Sequence, residues 1–365
     1  MRKRFALLLC VCLLLCLTAC GGTTEKEKKE TRPFTDSCGR TVEVPAEIKT
    51  IVPSGSLAQM ILYTVCPEKL ASLAVALTRV QKQYLDETIR SLPVTGQFYG
   101  GAASVSFEEI IGIAPDIIID MGEAKESVAE DMDALQAQTG GIPVVFIEAS
   151  LETMEQAYRT LGELVGAEER AAACADYIRD TLAEVTAIAS TIPESEKLRA
   201  VYAVGEDGTE VYGLGSLHAE TLDMVGARNI AVVERYNSKG ITEVSLEQML
   251  IWNPDVLILG PDANYREIWS DPAWAEISAV QSGKVYEIPV GPYNWMDQPP
   301  SVQRVLALKW LGRLLYPSLF HYDMVSEAQS FYRLFWHYEL TETEARTLMA
   351  NSIFSETEVF ADAGN

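Results

Sequence analysis

The sequence predicts an α/β protein made of two similar lobes joined by one long helix, with a ligand cleft between the lobes. Three observations carry this. Residues 105–120 (VSFEEIIGIAPDIIID) and 244–259 (VSLEQMLIWNPDVLIL) place Val, Ser, Glu, Pro, Asp and Ile at matching positions. A Gly-Ser-Leu turn precedes each of these units, at 55–57 and again at 215–217. Between the two halves, residues from Glu168 to Ser190 contain neither Gly nor Pro and carry apolar residues at three- and four-residue steps.

The chain has 365 residues, 48% of them hydrophobic, which is enough for one large or two medium cores and excludes a disordered chain. Residues 1–19 read as an export signal: Arg2, Lys3 and Arg4 open it, and the apolar run Phe5 to Leu17 follows. That run is too short to span a bilayer comfortably. Leu17-Thr18-Ala19-Cys20 resembles the lipobox of bacterial lipoproteins, which implies cleavage before Cys20 and a lipid on its thiol. Residues 20–32 are polar and read as a tether with a reach of roughly 20 Å. Loss of the three basic signal residues takes the net charge from −23 to −26. Nucleic-acid binding is disfavoured, because so acidic a chain repels phosphates.

The first lobe is expected over 33–150. FTDSCGRTVEVP at 34–45 alternates about a Cys-Gly turn and reads as a hairpin. Ile48 to Val52 is a short buried strand, and Ser54-Gly55-Ser56-Leu57 turns it into a helix with serine at the N-cap. In Val105 to Asp120 a serine-capped amphipathic helix passes through a Pro-Asp turn into a strand of β-branched residues. The linking segment is expected over 151–192, its long helix burying Ala171, Cys174, Ile178, Leu182, Val185 and Ile188.

The second lobe, expected over 193–365 with its C-terminal helices, repeats the scheme. Arg199 to Val204 and Glu210 to Tyr212 read as strands leading to Gly213-Leu214-Gly215-Ser216-Leu217, and Val244 to Leu259 repeats the capped unit. VYEIPV at 285–290 is the last strand, Ser301 to Leu315 a helix, and the aromatic run FYRLFWHYEL at 331–340 a further packing helix. Open α/β sheets bind ligands at the carboxyl ends of their strands, so two facing lobes place the site between them. Besides Cys20, the mature chain keeps Cys38, Cys66 and Cys174. A Cys38–Cys66 disulfide and separate thiols both fit that inventory.

With these features the chain resembles the extracytoplasmic substrate-binding proteins of ABC importers, in the helix-linked class that receives iron–siderophore complexes, haem and cobalamin. The carriers are the TDSCGRTVEVP opening, the two Val-Ser-x-Glu units, the intervening helix and the stretch from Gly291 to Pro317. The resemblance implies two Rossmann-like lobes, no enzymatic activity, no cofactor, and a lipid-anchored monomer outside the cytoplasm. It implies as partners a permease dimer with its ATPase, whose arginines meet one acid per lobe at Glu108 and Glu247. The expected cargo is an iron(III)-siderophore or related metal chelate. Some members of the family take molybdate or tungstate, which the paired Gly-Ser turns would suit by aiming backbone N–H groups at an oxyanion.

The cleft candidates are Ser54, Ser56, Tyr99, Tyr212, Ser216, His218, Arg235, Tyr236, Tyr293, Asn294 and Trp295. Aromatic faces suit a large chelate, while arginine and hydroxyls suit its oxygens. Direct metal capture is not expected, because His218, His321 and His337 offer no ligand spacing. An exported hydrolase is the rival of another class. Ser216, His218 and Asp223 lie too close in sequence for a catalytic set, and G-x-S-x-G, HExxH, P-loop and GxGxxG motifs are absent.

Overall fold

The computed structural model describes residues 30–98, 105–234, 237 and 240–354. The expected signal segment and Cys20 lie outside them. The alternation at the start of the chain forms an antiparallel hairpin, β1 (Thr31–Thr35) on β2 (Thr41–Pro45), with Thr35 opposite Thr41. Asp36 fastens its turn by accepting from the Arg40 amide at 2.9 Å and from the Cys38 thiol at 3.1 Å. Cys38, Cys66 and Cys174 are separate thiols, so the disulfide alternative does not form. Burial pushes the thiols of Cys66 and Cys174 up to about 12, which leaves them inert.

Each lobe has its own sheet. In the first, β3 (Ile51–Pro53), β4 (Ile117–Gly122) and β5 (Val144–Glu148) run parallel in that order. The second contains β6 (Arg199–Val204), β7 (Glu210–Tyr212), β8 (Arg228–Asn229), β9 (Ile241–Glu243), β10 (Val256–Leu259) and β11 (Val285–Glu287). Its order is β11-β10-β6-β7-β9, with β8 also on β6; β8, β10 and β11 run parallel in this sheet, and β7 runs antiparallel to β6 and β9. The parallel strands are covered on both faces, which is why they read as unbroken Val/Ile/Leu runs.

The repeated unit folds the same way in both lobes. Ser106 Oγ accepts from the Glu109 amide at 3.3 Å and Ser245 Oγ from the Gln248 amide at 3.2 Å, capping α2 (Phe107–Ile113) and α5 (Leu246–Trp252). Both helices end on a left-handed residue, Ala114 at φ 51° and Asn253 at φ 43°. The Pro-Asp turn then makes a non-local clasp. Asp116 Oδ2 accepts from the Lys49 and Thr50 amides at 2.8 and 3.0 Å, and Asp255 Oδ2 from the Arg199 amide at 2.9 Å. In each lobe this aspartate ties the head of one strand to the head of its neighbour.

Between the lobes, α3 (Met154–Val165) turns at Gly166, φ 70°, into α4 (Glu168–Ala189). At 22 residues, α4 spans on the order of 30 Å. Its buried stripe is Ala171, Cys174, Ala175, Ile178, Thr181 and Val185. Leu182 and Ile188, expected in that stripe, are only partly buried at its margin. The stripe is centred one position round, where small residues admit the neighbouring helix.

The C-terminal region is a near-solid block. Helix α6 (Gln303–Leu315) buries almost every residue, and α7 (Met324–Phe331) continues through a π-helical turn at Tyr332–Trp336. The aromatic run packs beyond its own lobe. Phe331 and Phe335 stack at 4.4 Å, Tyr177 of α4 meets both edge-on, and the Tyr63 hydroxyl of α1 (Ser56–Val65) donates to the Trp336 carbonyl at 3.1 Å. One hydrophobic cluster therefore runs through the first lobe, the linking helices and the C-terminal block.

Candidate functional site

The ligand end of each lobe follows from topology. Helices α2 and α5 each lead directly into a parallel strand and run back along it, so their N-terminal turns lie at the carboxyl ends of the strands. At that end, loops of the first lobe and the loop after β11 enclose a cavity of about 510 Å3. Its polar lining is Ser56, Gln59, Gln81 and Gln97 from one side and Tyr293 and Gln298 from the other. Gly213 to His218, with Gly240, form an adjoining recess of about 240 Å3. A third recess of about 200 Å3 lies beside Asp120 at the end of β4. Among the described residues, the lining of the 510 Å3 cavity carries no ionised side chain.

On the first-lobe side, the serine N-cap expected for α1 is replaced by Gly55 in an extended conformation, and Ser56 is the first helical residue. Its amide donates to Gln97 Oε1 at 3.3 Å, which turns the Gln97 carboxamide along the cavity wall. Gln59 is fixed by its Oε1 accepting from the Val75 amide at 2.9 Å. Ser54 points elsewhere, its hydroxyl donating to Asp120 Oδ1. Burial pushes the Asp120 carboxyl up, against the hydrogen bond from Ser54.

The second-lobe side is built around a histidine–aspartate pair. His218 Nδ1 is bonded to Oδ1 of Asp297, whose side chain is fully buried, and the imidazole stacks on Tyr212 with ring centroids 4.7 Å apart. Asp297 Oδ2 has no hydrogen-bond partner among the described residues. Such a carboxylate fixes the ring's orientation through Nδ1. Burial, and then the negative charge of Asp297, push the Tyr212 hydroxyl up. Tyr212 in turn accepts from Gln298 Nε2 at 3.4 Å, connecting the recess to the larger cavity. Gln298 is held at φ 59°, a region unfavourable to a non-glycine residue. Ser216 serves the turn, its Oγ accepting from the His218 amide at 3.3 Å. The turn continues as Leu217–Ala219 and a five-residue helix at Glu220–Met224, shorter than its first-lobe counterpart.

Of the remaining candidates, Tyr293 is largely buried with one face on the cavity, and burial pushes its hydroxyl up. Asn294 and Trp295 lie beneath the cavity. Asn294 Oδ1 accepts from the Met296 and Asp297 amides, shaping the loop, and Trp295 Nε1 donates to the Tyr332 hydroxyl at 3.3 Å. Tyr99, Arg235 and Tyr236 lie outside the described residues. Glu108 and Glu247 are exposed in the first turns of α2 and α5. Sequence reasoning missed Gln59, Gln81, Gln97, Asp297 and Gln298; the Asp-Gln-Pro-Pro run after the last strand was the one available signal.

Behind the cleft, Arg304 is buried against Glu220. Burial raises the Glu220 carboxyl, Arg304 opposes that, and Glu123 of the first lobe and Glu152 of the linking segment add to it.

Two lobes with separate sheets, a connecting helix and an interlobe cavity define a two-domain binding protein. The chain belongs to the periplasmic binding protein family, whose profile matches residues 68–290. A curated relative is the molybdate-binding protein MolA of Haemophilus influenzae, 25% identical over 334 residues and covering 84% of this chain and 91% of the relative. Among solved structures, an ABC transporter solute binding protein from Sulfurospirillum deleyianum superposes with a TM-score of 0.79 at 28% identity, covering 87% of this chain and 98% of that one. A periplasmic solute binding protein from Veillonella parvula gives 0.73 at 27% identity, covering 88% and 97%. The family and these relatives are binding proteins and not enzymes, so the site is one of capture without turnover. No helix among the described residues is long and apolar enough to cross a membrane.

Proposed function

We propose that this chain is the extracytoplasmic solute-binding component of an ABC importer, and that its cargo is an iron(III)-siderophore or a related metal chelate. The single observation that carries the cargo reading is the cavity, about 510 Å3, whose described lining offers carboxamides, a hydroxyl and a tyrosine face. That volume lies in the range of pockets for drug-sized ligands, and one tetrahedral oxyanion would leave most of it to water. Uncharged donors and acceptors match the oxygen-rich shell of a metal chelate. The mature net charge of −26, the −23 of the full chain less three basic signal residues, disfavours a highly anionic guest. In this reading residues 33–150 and 193–365 form the lobes, 151–192 links them, and the protein works as a monomer held to the membrane through lipid on Cys20. Glu108 and Glu247 meet arginines of the permease dimer, whose ATPase drives transport.

A second reading, molybdate or tungstate as cargo, is supported by the similarity to MolA. Thermal-shift screening of the mature protein separates the two, since a ligand that binds only the folded state raises the melting temperature. The panel is ferric siderophores, haem, cobalamin, molybdate and tungstate. A rise with a metal chelate and none with the oxyanions is expected. A rise with the oxyanions alone replaces the first reading by the second.

A further inference from the structure

Among the described residues, the large hydrophobic side chains left exposed include Ile251, at 75% the most exposed of them, and Ile111, at 48%. Both sit on the repeated capped helices. Ile111 follows Glu108 by three residues on α2, and Ile251 follows Glu247 by four on α5, so each isoleucine shares a helix face with its lobe's acid. Neither is needed to hold its helix down. Ile110 is the buried residue of α2 and Met249 that of α5, and the side chains packed beside them are Phe107 and Ile113 in the first lobe and Leu246, Leu250 and Trp252 in the second. The two isoleucines do not occupy equivalent positions: Ile111 corresponds to Leu250, and Ile251 to Gly112. The same pairing of acid and exposed aliphatic group has thus been reached at different helix positions in the two lobes.

We infer that Ile111 and Ile251 are the apolar contacts of the permease-docking surface, each packing beside its lobe's docking acid; this rests on the docking reading of Glu108 and Glu247. An acid beside an exposed aliphatic side chain suits a protein interface, where the desolvated apolar group carries affinity and the charge steers and orients. One such pair per lobe fits a partner with two equivalent surfaces, which a permease dimer presents. The alternatives fit less well. An anionic lipid surface would meet Glu108, Glu109 and Glu247 as like charges, and a second copy of this chain would set acids against acids. The helices' N-terminal turns lie at the ligand end of the lobes, so the docking face borders the cleft it empties.

The test measures binding of fluorescently labelled mature protein, without ligand, to its cognate permease–ATPase complex in lipid nanodiscs at low and at high salt. I111S/I251S is expected to bind at least about tenfold more weakly than wild type at both salts, whereas E108K/E247K loses most of its binding at low salt. Wild-type affinity for I111S/I251S beside a loss for E108K/E247K would overturn the inference and leave the docking reading standing. Wild-type affinity for both variants would remove the two together. Because both isoleucines are exposed, the melting temperature of I111S/I251S should match wild type; if it does not, I111A/I251A takes its place in the same measurement, judged by the same outcomes.

Discussion

His337 closes the C-terminal aromatic turn at φ 53°, its Nε2 3.3 Å from the Tyr63 carbonyl and its ring tilted on Tyr63 at 5.6 Å. Burial first, and then the nearby Arg170 charge, hold its basicity below the usual 6.5. The unfolded chain therefore takes up the proton at a higher pH than the folded one. Stability contributed by the neutral ring is intact above pH 6.5 and is lost as pH falls from there through the folded value. Asparagine tolerates a left-handed backbone and does not titrate in this range, so H337N isolates the effect. Urea unfolding at about pH 5 and about pH 7 is expected to show a smaller loss of stability on acidification in H337N than in wild type; equal losses would assign the pH dependence to other groups. Legibility at this scale followed distance along the chain. Ser106 and Ser245 were readable as caps because each bonds an amide three residues on. Asp297 was not, because its partner His218 is 79 residues away.

The elbow between α3 and α4 shows what periodicity leaves out. The apolar spacing identified α4 and most of its buried face, but not the surface that covers it, because a stripe has a direction and no partner. The partner is α3, and the helices approach at Gly162, where an added Cβ would stand 2.6 Å from Ala171 Cβ and 3.2 Å from Glu168 Cα. A side chain there gains up to about 1 kcal/mol of helix propensity over glycine. Against that stands overpacking of backbone and a rigid methyl, typically 1–3 kcal/mol, with no flexible side chain to give way. Overpacking wins for a β-branched residue. Gly162→Val is expected to lower stability by about 2 kcal/mol, read as a lower urea midpoint with an unchanged m-value, since the same surface is exposed on unfolding. A midpoint at or above wild type would mean that the linking pair is loosely packed and does not set the lobe spacing.

At the scale of the molecule, the two lobes were legible because the chain writes the same local pattern twice, once per lobe: a serine-capped helix, a Pro-Asp turn and a strand of β-branched residues. What joins them was not. The aromatic run FYRLFWHYEL identified itself as packing, yet the residues it grips, Tyr63 in the first lobe and Tyr177 in the linker, lie more than 150 positions earlier. The result is a brace beside the strut. The C-terminal block touches the first lobe through Tyr63 and α4 through the Phe331–Phe335 stack, and Lys309 of α6 pairs with Glu327 at 2.8 Å while facing the Tyr177 ring. A hinge between the lobes would have to open this cluster, and each aromatic taken from it costs a few kcal/mol of burial. A ligand can shift that equilibrium only by its differential affinity for the closed form, so most of its binding energy goes into affinity instead of motion. Small-angle X-ray scattering of the protein, with and without whichever ligand raises its melting temperature most, is therefore expected to give the same radius of gyration within error. A clear compaction on binding would show that the brace yields.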